Sequence, residues 1–327
     1  MDLAVTYGCN LGCEKCYLGN RAGAPNLRSP LPRELTLQQW TEVYRRLWEL
    51  GVPQVVFTGG EPTLRPDILE LIGDAEEFVT GMVTNGTRLA QLAKQLKDVS
   101  LDYVQVTIES ANPQIHDLMT RVVGSHGQTV FGIIAALNEG LQVVTNTTLT
   151  KQNAGEFLST MRFLAQYGVR HIACNTLICS GRGTACRQQN GLSDQELNQI
   201  LEQARALADE LQIELQWYSP TCYTLGVNPL KFGFGIKACS AAAHNMTIQP
   251  DGTVLPCQSW PDPVGNILTD PWSNIWNHPT CLKLRQHAMK DAACNGCAFE
   301  STCAGGCPLD MMPRVPTAKQ TEGGTHA

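Results

Sequence analysis

The stretch Leu3-Ala4-Val5-Thr6-Tyr7-Gly8-Cys9-Asn10-Leu11-Gly12-Cys13-Glu14-Lys15-Cys16 joins a short apolar run to a cysteine loop. Leu3 to Tyr7 has the length and composition of a buried strand. The loop that follows has the spacing C-x3-C-x2-C. Three thiolates on one short loop can ligate three irons of a cubane cluster and leave the fourth without a protein ligand. An open metal position is what a catalytic site keeps and a structural site closes. Taken alone, Cys9, Cys13 and Cys16 also fit a zinc site completed by a distant residue.

Working outward, further apolar runs lie at Gln54 to Thr58, Phe78 to Thr84, Tyr103 to Glu109, Leu141 to Leu149 and His171 to Ile178. Between them, apolar residues recur at helical spacing over Leu37 to Leu50, Ile68 to Glu77, Leu89 to Leu96, Val130 to Glu139 and Phe157 to Tyr167. Thr36 with Gln39 reads as a capping box, and Gly51 is a fitting helix stop. A strand-then-helix repeat of about 30 residues is close to the pitch of a β/α barrel, whose eight units take about 250. Six such units predict an α/β fold, an incomplete (β/α)6 TIM-like barrel over residues 1–185. A six-stranded open parallel sheet is the alternative. In both, loops at the strand C-terminal ends hold the chemistry.

Residues 186–221 read as a bridge: a helix from Asp194 to Gln212, capped by Ser193 with Glu196, then a strand from Ile213 to Trp217. Trp217, Tyr218, Tyr223, Phe232 and Phe234 are expected to pack around it, with lining of a substrate cleft as the alternative. Residues 222–310 are rich in Cys, Gly and Pro. There, Met246 to Gln249 and Thr253 to Pro256 flank Pro250-Asp251-Gly252, a hairpin turn. Such a small, loop-rich unit needs covalent or metal staples. The tail, 311–327, reads as mobile.

Composition narrows the function. Apolar residues make up 43% and charged residues 17% of the 327, the balance of a folded chain. Thirty acidic against 24 basic side chains give a net charge of −6, which argues against a general nucleic-acid surface. No apolar stretch approaches the length of a membrane span, and Met1 to Gly12 lack the pattern of a secretory signal, so a cytoplasmic protein is expected. Fourteen cysteines in such a chain point to metal or redox chemistry rather than disulfides.

After the second apolar run stands Gly59-Gly60-Glu61-Pro62. Together with the C-x3-C-x2-C loop, it resembles the radical S-adenosylmethionine (SAM) superfamily. The resemblance implies a SAM-binding [4Fe–4S] cluster on Cys9, Cys13 and Cys16, with the amino group of SAM hydrogen-bonded by the Gly59, Gly60, Glu61, Pro62 loop. Glycine permits close backbone approach to a ligand, and Glu61 offers an acceptor to an ammonium. Thr107-Ile108-Glu109-Ser110 occupies the place of a Ser-x-Asp-Gly run that contacts SAM in relatives, which makes Glu109 and Ser110 candidate contacts. Asn146 and the Arg182 of Gly181-Arg182-Gly183 also fall where the family has residues near the cofactor. Lys15 departs from the aromatic or His that relatives carry before the third cysteine; Tyr17 is the adjacent aromatic. Cys179 lies near the expected site mouth as a candidate hydrogen-atom donor.

Cys239-x12-Gly252-x4-Cys257 and Cys294-x2-Cys297-x5-Cys303-x3-Cys307 resemble the SPASM domain, which holds auxiliary [4Fe–4S] clusters. The family's interleaving implies Cys239, Cys257 and Cys307 for one cluster and Cys294, Cys297 and Cys303 for another. Two further family cysteines are missing: position 245 is Asn, and nothing after Cys307 is Cys. Three completions stay open: Cys222 in one set, a substrate or another residue in the other, or a single cluster in the domain.

The resemblance implies reductive cleavage of SAM to a 5′-deoxyadenosyl radical, fed by an electron donor such as a flavodoxin or ferredoxin. Oxidative modification of a peptide or protein is the first expectation for the substrate. With Cys9 so near the start, leader recognition would fall to a separate leader-binding protein or to the barrel. An enzyme of haem or other small-molecule cofactor biosynthesis is the alternative, with Arg182 or Lys237 facing propionates. An iron–sulfur electron-transfer protein is the alternative of another class.

Overall fold

In the computed structural model, which describes residues 1–18 and 33–311, the first strand, β1 (Asp2–Thr6), is buried along almost its whole length. A strand apolar on both faces belongs inside a parallel sheet. Its partner is β2 (Gln54–Gly59), with Leu3 opposite Phe57. The sheet continues in parallel through β3 (Val79–Thr84), β4 (Tyr103–Thr107), β5 (Gln142–Leu149) and β6 (His171–Thr176). The bridge strand, β7 (Glu214–Trp217), joins as a seventh parallel strand, with Cys174 opposite Trp217.

The crossover helices cover the outside. In α1 (Leu37–Glu49), Trp40, Val43, Tyr44 and Leu47 share one buried face at helical spacing, and Thr36 with Gln39 forms the reciprocal capping box. The following helices are α2 (Ile68–Gly73), α3 (Leu89–Asp98), α4 (Pro113–Thr120), α5 (Ser125–Asn138) and α6 (Phe157–Gln166). Next come α7 (Gly183–Asn190) and α8 (Asp194–Leu211), the latter held by the Ser193–Glu196 box. The short helices α4 and α7 were not expected: one has Pro at its first turn and the other Gly, and neither carries a long apolar stripe. The core between sheet and helices is led by Trp40, Phe57, Leu3 and Met82. Each such side chain contributes about 1.5–3 kcal/mol by leaving water.

The expected cysteine-rich unit is stitched to this sheet. Its hairpin, β8 (Thr247–Ile248) and β9 (Thr253–Leu255), turns at Pro250-Asp251-Gly252, where Gly252 has φ +84° and Asp251 accepts from the Thr253 N–H. β8 pairs in parallel with β1, Leu3 opposite Ile248, and β10 (Gly265–Asn266) closes the far edge. Among the described residues the order is β10-β9-β8-β1-β2-β3-β4-β5-β6-β7, an open α/β sheet in which β7 does not return to β1. The cysteine-rich unit therefore abuts the strand from which the first cysteine loop emerges. The tail expected to be mobile lies, past residue 311, outside the described residues. Among those residues no helix is long and apolar enough to cross a membrane.

Candidate functional site

The first cysteine loop is held from every side. At its root, the Gly60 N–H donates to Thr6 O at 2.9 Å and the Glu61 N–H to Gly8 O at 2.8 Å, zipping the ends of β1 and β2 together. A Cβ at Gly60 would stand 2.1 Å from Gly8 O, and one at Gly59, φ +133°, 2.4 Å from Thr6 O. The glycines are thus required by the chain's own backbone crossing, a stronger demand than approach to a ligand. Further along, Gly12 N–H and Glu14 N–H donate to Thr120 O and Met119 O at the end of α4. From the start of α7, the Arg182 backbone donates to Cys16 O and its Nε to Cys13 O, both at 3.0 Å.

Cys9, Cys13 and Cys16 line a cavity of about 280 Å³ at the C-terminal ends of the strands. Gly59, Gly60, Tyr17, Glu109, Asn146 and Arg182 line it as well. Glu61, Pro62, Ser110 and Cys179 are not among the residues that line it. Glu61 is fully buried and committed elsewhere: Oε1 accepts from Thr63 N–H, Thr63 Oγ1 and Thr84 Oγ1, and Oε2 from Asn85 N–H. Burial pushes its carboxyl above the usual range despite these donors. Pro62 starts the 3-10 turn that Glu61 caps. Ser110 is buried, its Oγ accepting from Asn112 N–H. Cys179 lies between Ile178 and Arg182, both of which line the cavity.

Lys15, one residue before the third cysteine, forms a buried ion pair with Glu109 at 2.7 Å. Gln105, Thr107, Thr148 and Asn175 are among the further polar lining residues, and none was singled out from sequence. The available signal was alternation: Val104 and Val106 are buried, while Gln105 and Thr107 point the other way, into the cavity. A closed barrel fills that interior with apolar side chains. Tyr218 also lines the cavity, whereas Trp217 and Tyr223 are buried as expected of packing residues.

The wall fits the expected cofactor. Glu109 has no hydrogen-bond partner beyond its ion pair with Lys15, and the buried Asn146 Oδ1 has none. These are acceptors for a ligand rich in N–H and O–H groups, set beside three thiols. Burial pushes the Cys9 thiol up to about 11 and the Cys13 thiol up to about 12, where Glu109 adds its negative charge. A metal bound here must displace those protons. Cys9 Sγ already accepts the Leu11 N–H at 3.5 Å.

The remaining candidate ligands gather in two places. Burial raises the Cys307 thiol, with Asp310, Cys239 and Cys257 adding their charge, and Cys257 is pushed up to about 11 by burial, with Cys239 beside it. Cys294 is raised by burial and then by Cys222, Cys303, Asp291 and Cys297. The Thr224 hydroxyl, 3.4 Å from Cys297 Sγ, holds that thiol below its ordinary range, assisted by the Phe299 N–H. Among the described residues no three His, Cys, Asp or Glu side chains close on one ion-sized point, so a bound group must bring its own volume or draw the loops inward. Tyr17 Oη donates to Gln258 Oε1 at 3.1 Å, linking the first cysteine loop to the segment after Cys257.

Comparison with known proteins agrees with this architecture. The radical SAM superfamily model matches residues 3–164, and the SPASM model, an iron–sulfur cluster-binding domain, matches residues 239–298. The chain is 25% identical over 318 residues to the AdoMet-dependent heme synthase of Methanosarcina barkeri, covering 92% of this chain and 88% of that one. It is 25% identical over 330 residues to the pre-heme d1 synthase of Dinoroseobacter shibae, covering 92% and 79%. Its fold is similar to that of Streptococcus suis SuiB bound to precursor peptide SuiA, with a TM-score of 0.76 at 18% identity over 94% of this chain and 71% of that one. With three cysteines and two glycines on one cavity and the hairpin of the cysteine-rich unit paired to β1, this chain belongs to the radical SAM superfamily, with a C-terminal SPASM domain, and its cofactors are SAM and iron–sulfur clusters.

Proposed function

We propose that this chain cleaves SAM reductively and oxidises a tetrapyrrole or related small molecule of cofactor biosynthesis. The observation that carries the substrate class is the similarity to two tetrapyrrole enzymes, which spans 92% of this chain in each comparison. Bound on Cys9, Cys13 and Cys16, the reduced cluster with SAM would supply a 5′-deoxyadenosyl radical able to remove hydrogen from an unactivated carbon. The residues of the chain hold and orient. Arg182 keeps the cysteine loop in shape through Cys13 O and Cys16 O. Asn146 and Glu109 offer acceptors to the ammonium and hydroxyl groups of SAM. Lys15 neutralises Glu109, so the pocket does not present an isolated buried charge.

A small reductant such as a flavodoxin or ferredoxin would deliver the electron. The compartment on this reading is the cytoplasm, where a cysteine-rich chain more often holds metals than forms disulfides. Peptide modification is the second reading, favoured by the fold likeness to a protein solved with a precursor peptide. The test is anaerobic reconstitution with iron and sulfide, reduction, and assay of 5′-deoxyadenosine from SAM with propionate-bearing tetrapyrroles or with short peptides. Deoxyadenosine that rises with a tetrapyrrole and vanishes in Cys13→Ala is expected. Stimulation by peptides alone would transfer the assignment to the second reading; none under any condition, at full iron load, would overturn both.

A further inference from the structure

We infer that Cys222, on the loop after β7, is the fourth protein ligand of the auxiliary iron–sulfur group held by Cys294, Cys297 and Cys303. The inference rests on the auxiliary-cluster reading of those three cysteines and goes beyond it, because the SPASM match begins at residue 239 and does not reach Cys222.

The loop carrying Cys222 is laid directly on the cysteine segment. Gly306, φ +91°, has no side chain where a Cβ would stand 3.0 Å from Cys222 N, so the two backbones touch. Two residues on, Thr224 Oγ1 lies 3.4 Å from Cys297 Sγ. Between them, the buried ring of Tyr223 packs on Phe299 with centroids 5.6 Å apart, and its hydroxyl accepts the Lys237 N–H at 2.7 Å. The Gly226 N–H returns to Cys222 O at 2.8 Å and closes the loop. Cys222 is half-buried, as are Cys294 and Cys297.

The other cysteines are otherwise occupied. Cys174, Cys186 and Cys281 are buried in the core. The family's interleaving gives Cys239, Cys257 and Cys307 to the other set, and no cysteine follows Cys307 in the sequence. Cys179 neighbours Arg187, which pairs with Asp310 at 2.8 Å. Cys222 thus supplies from upstream of the SPASM match the ligand that the chain lacks downstream. On binding, its thiol proton leaves to solvent as the sulfur–iron bond forms, with no change in electron count. The group at Cys222 is then closed by four cysteines, whereas the Cys239, Cys257, Cys307 set has three. Asn245 does not extend that smaller set: its Nδ2 donates to Asp2 at 2.7 Å.

The test is iron content and electron paramagnetic resonance of the reconstituted full chain, read independently of turnover. Wild type is expected to hold about twelve irons, three cubanes. Cys222→Ala should lose up to about four of them or show a three-iron signal, matching Cys294→Ala. Wild-type iron and spectrum in Cys222→Ala, with iron lost in Cys294→Ala, overturns the role of Cys222 and leaves the auxiliary reading intact. No loss in either variant overturns the auxiliary reading itself. Should Cys222→Ala fail to fold, Cys222→Ser keeps the size and offers an oxygen ligand; it must shift the reduced spectrum, and an unshifted one overturns the inference.

Discussion

Lys15 Nζ stands 2.7 Å from Glu109 Oε1, and the two side chains, 9% and 1% exposed, tie the first cysteine loop to the end of β4. Among the described residues, neither carboxylate oxygen has a hydrogen-bond partner beyond this ion pair. Glu109→Gln should therefore strand a buried ammonium and cost about 3 kcal/mol, while the double variant Lys15→Met with Glu109→Gln recovers most of it. Urea unfolding of the four proteins measures this; additive losses would show that the pair is not coupled.

Gly60 tolerates no side chain, since a Cβ would lie 2.1 Å from Gly8 O and both strand ends are fixed by hydrogen bonds. Gly60→Ala should spread the root of the cysteine loop and lower iron loading on Cys9, Cys13 and Cys16. Gly73→Ala, at the end of α2 with nothing within 4 Å, is the matched control and should not lower it. Normal iron content in Gly60→Ala would contradict the crossing as the reason for glycine.

Glu61 is fully buried, with its carboxylate bonded to Thr63, Thr84 and Asn85. In Glu61→Gln an amide N–H would oppose the Asn85 N–H, costing about 2 kcal/mol of stability. SAM affinity of the folded variant should change by less than about threefold. A loss beyond about tenfold, or 1.4 kcal/mol, would make the carboxylate a ligand contact after all.

His116 Nδ1 accepts the Glu109 N–H at 3.2 Å, and its ring meets His126 edge-on. Burial lowers its pKa to about 4, and His126 disfavours its charge further. In the unfolded chain it titrates near 6.5, so between those values the unfolded state binds more protons. Stability should fall as pH drops through this window, by up to about 3 kcal/mol from His116. His116→Asn, which keeps an acceptor and cannot titrate, should flatten that part of the slope in urea melts at pH 7 and 4.5. An unchanged slope would assign the acid sensitivity elsewhere.

The repeat of strand and helix, the capping boxes at Thr36 and Ser193, and the cysteine spacings are all readable along the chain. Each depends on residues within a turn or a loop of one another, and local periodicity is set by covalent neighbours. The Pro250-Asp251-Gly252 hairpin is legible for the same reason, but its pairing with β1, two hundred and more residues away, is not. Likewise, Glu61 as an acceptor follows from its chemistry, whereas its direction is decided by Thr84 and Asn85, which only the third strand brings near. Lys15 meets Glu109, and Thr224 meets Cys297, because residues far apart in the chain are brought together by the fold. Sequence alone thus determined the elements and the kind of chemistry they carry. The tertiary structure decided which groups face the cavity, since burial and pairing depend on distances that no local pattern encodes.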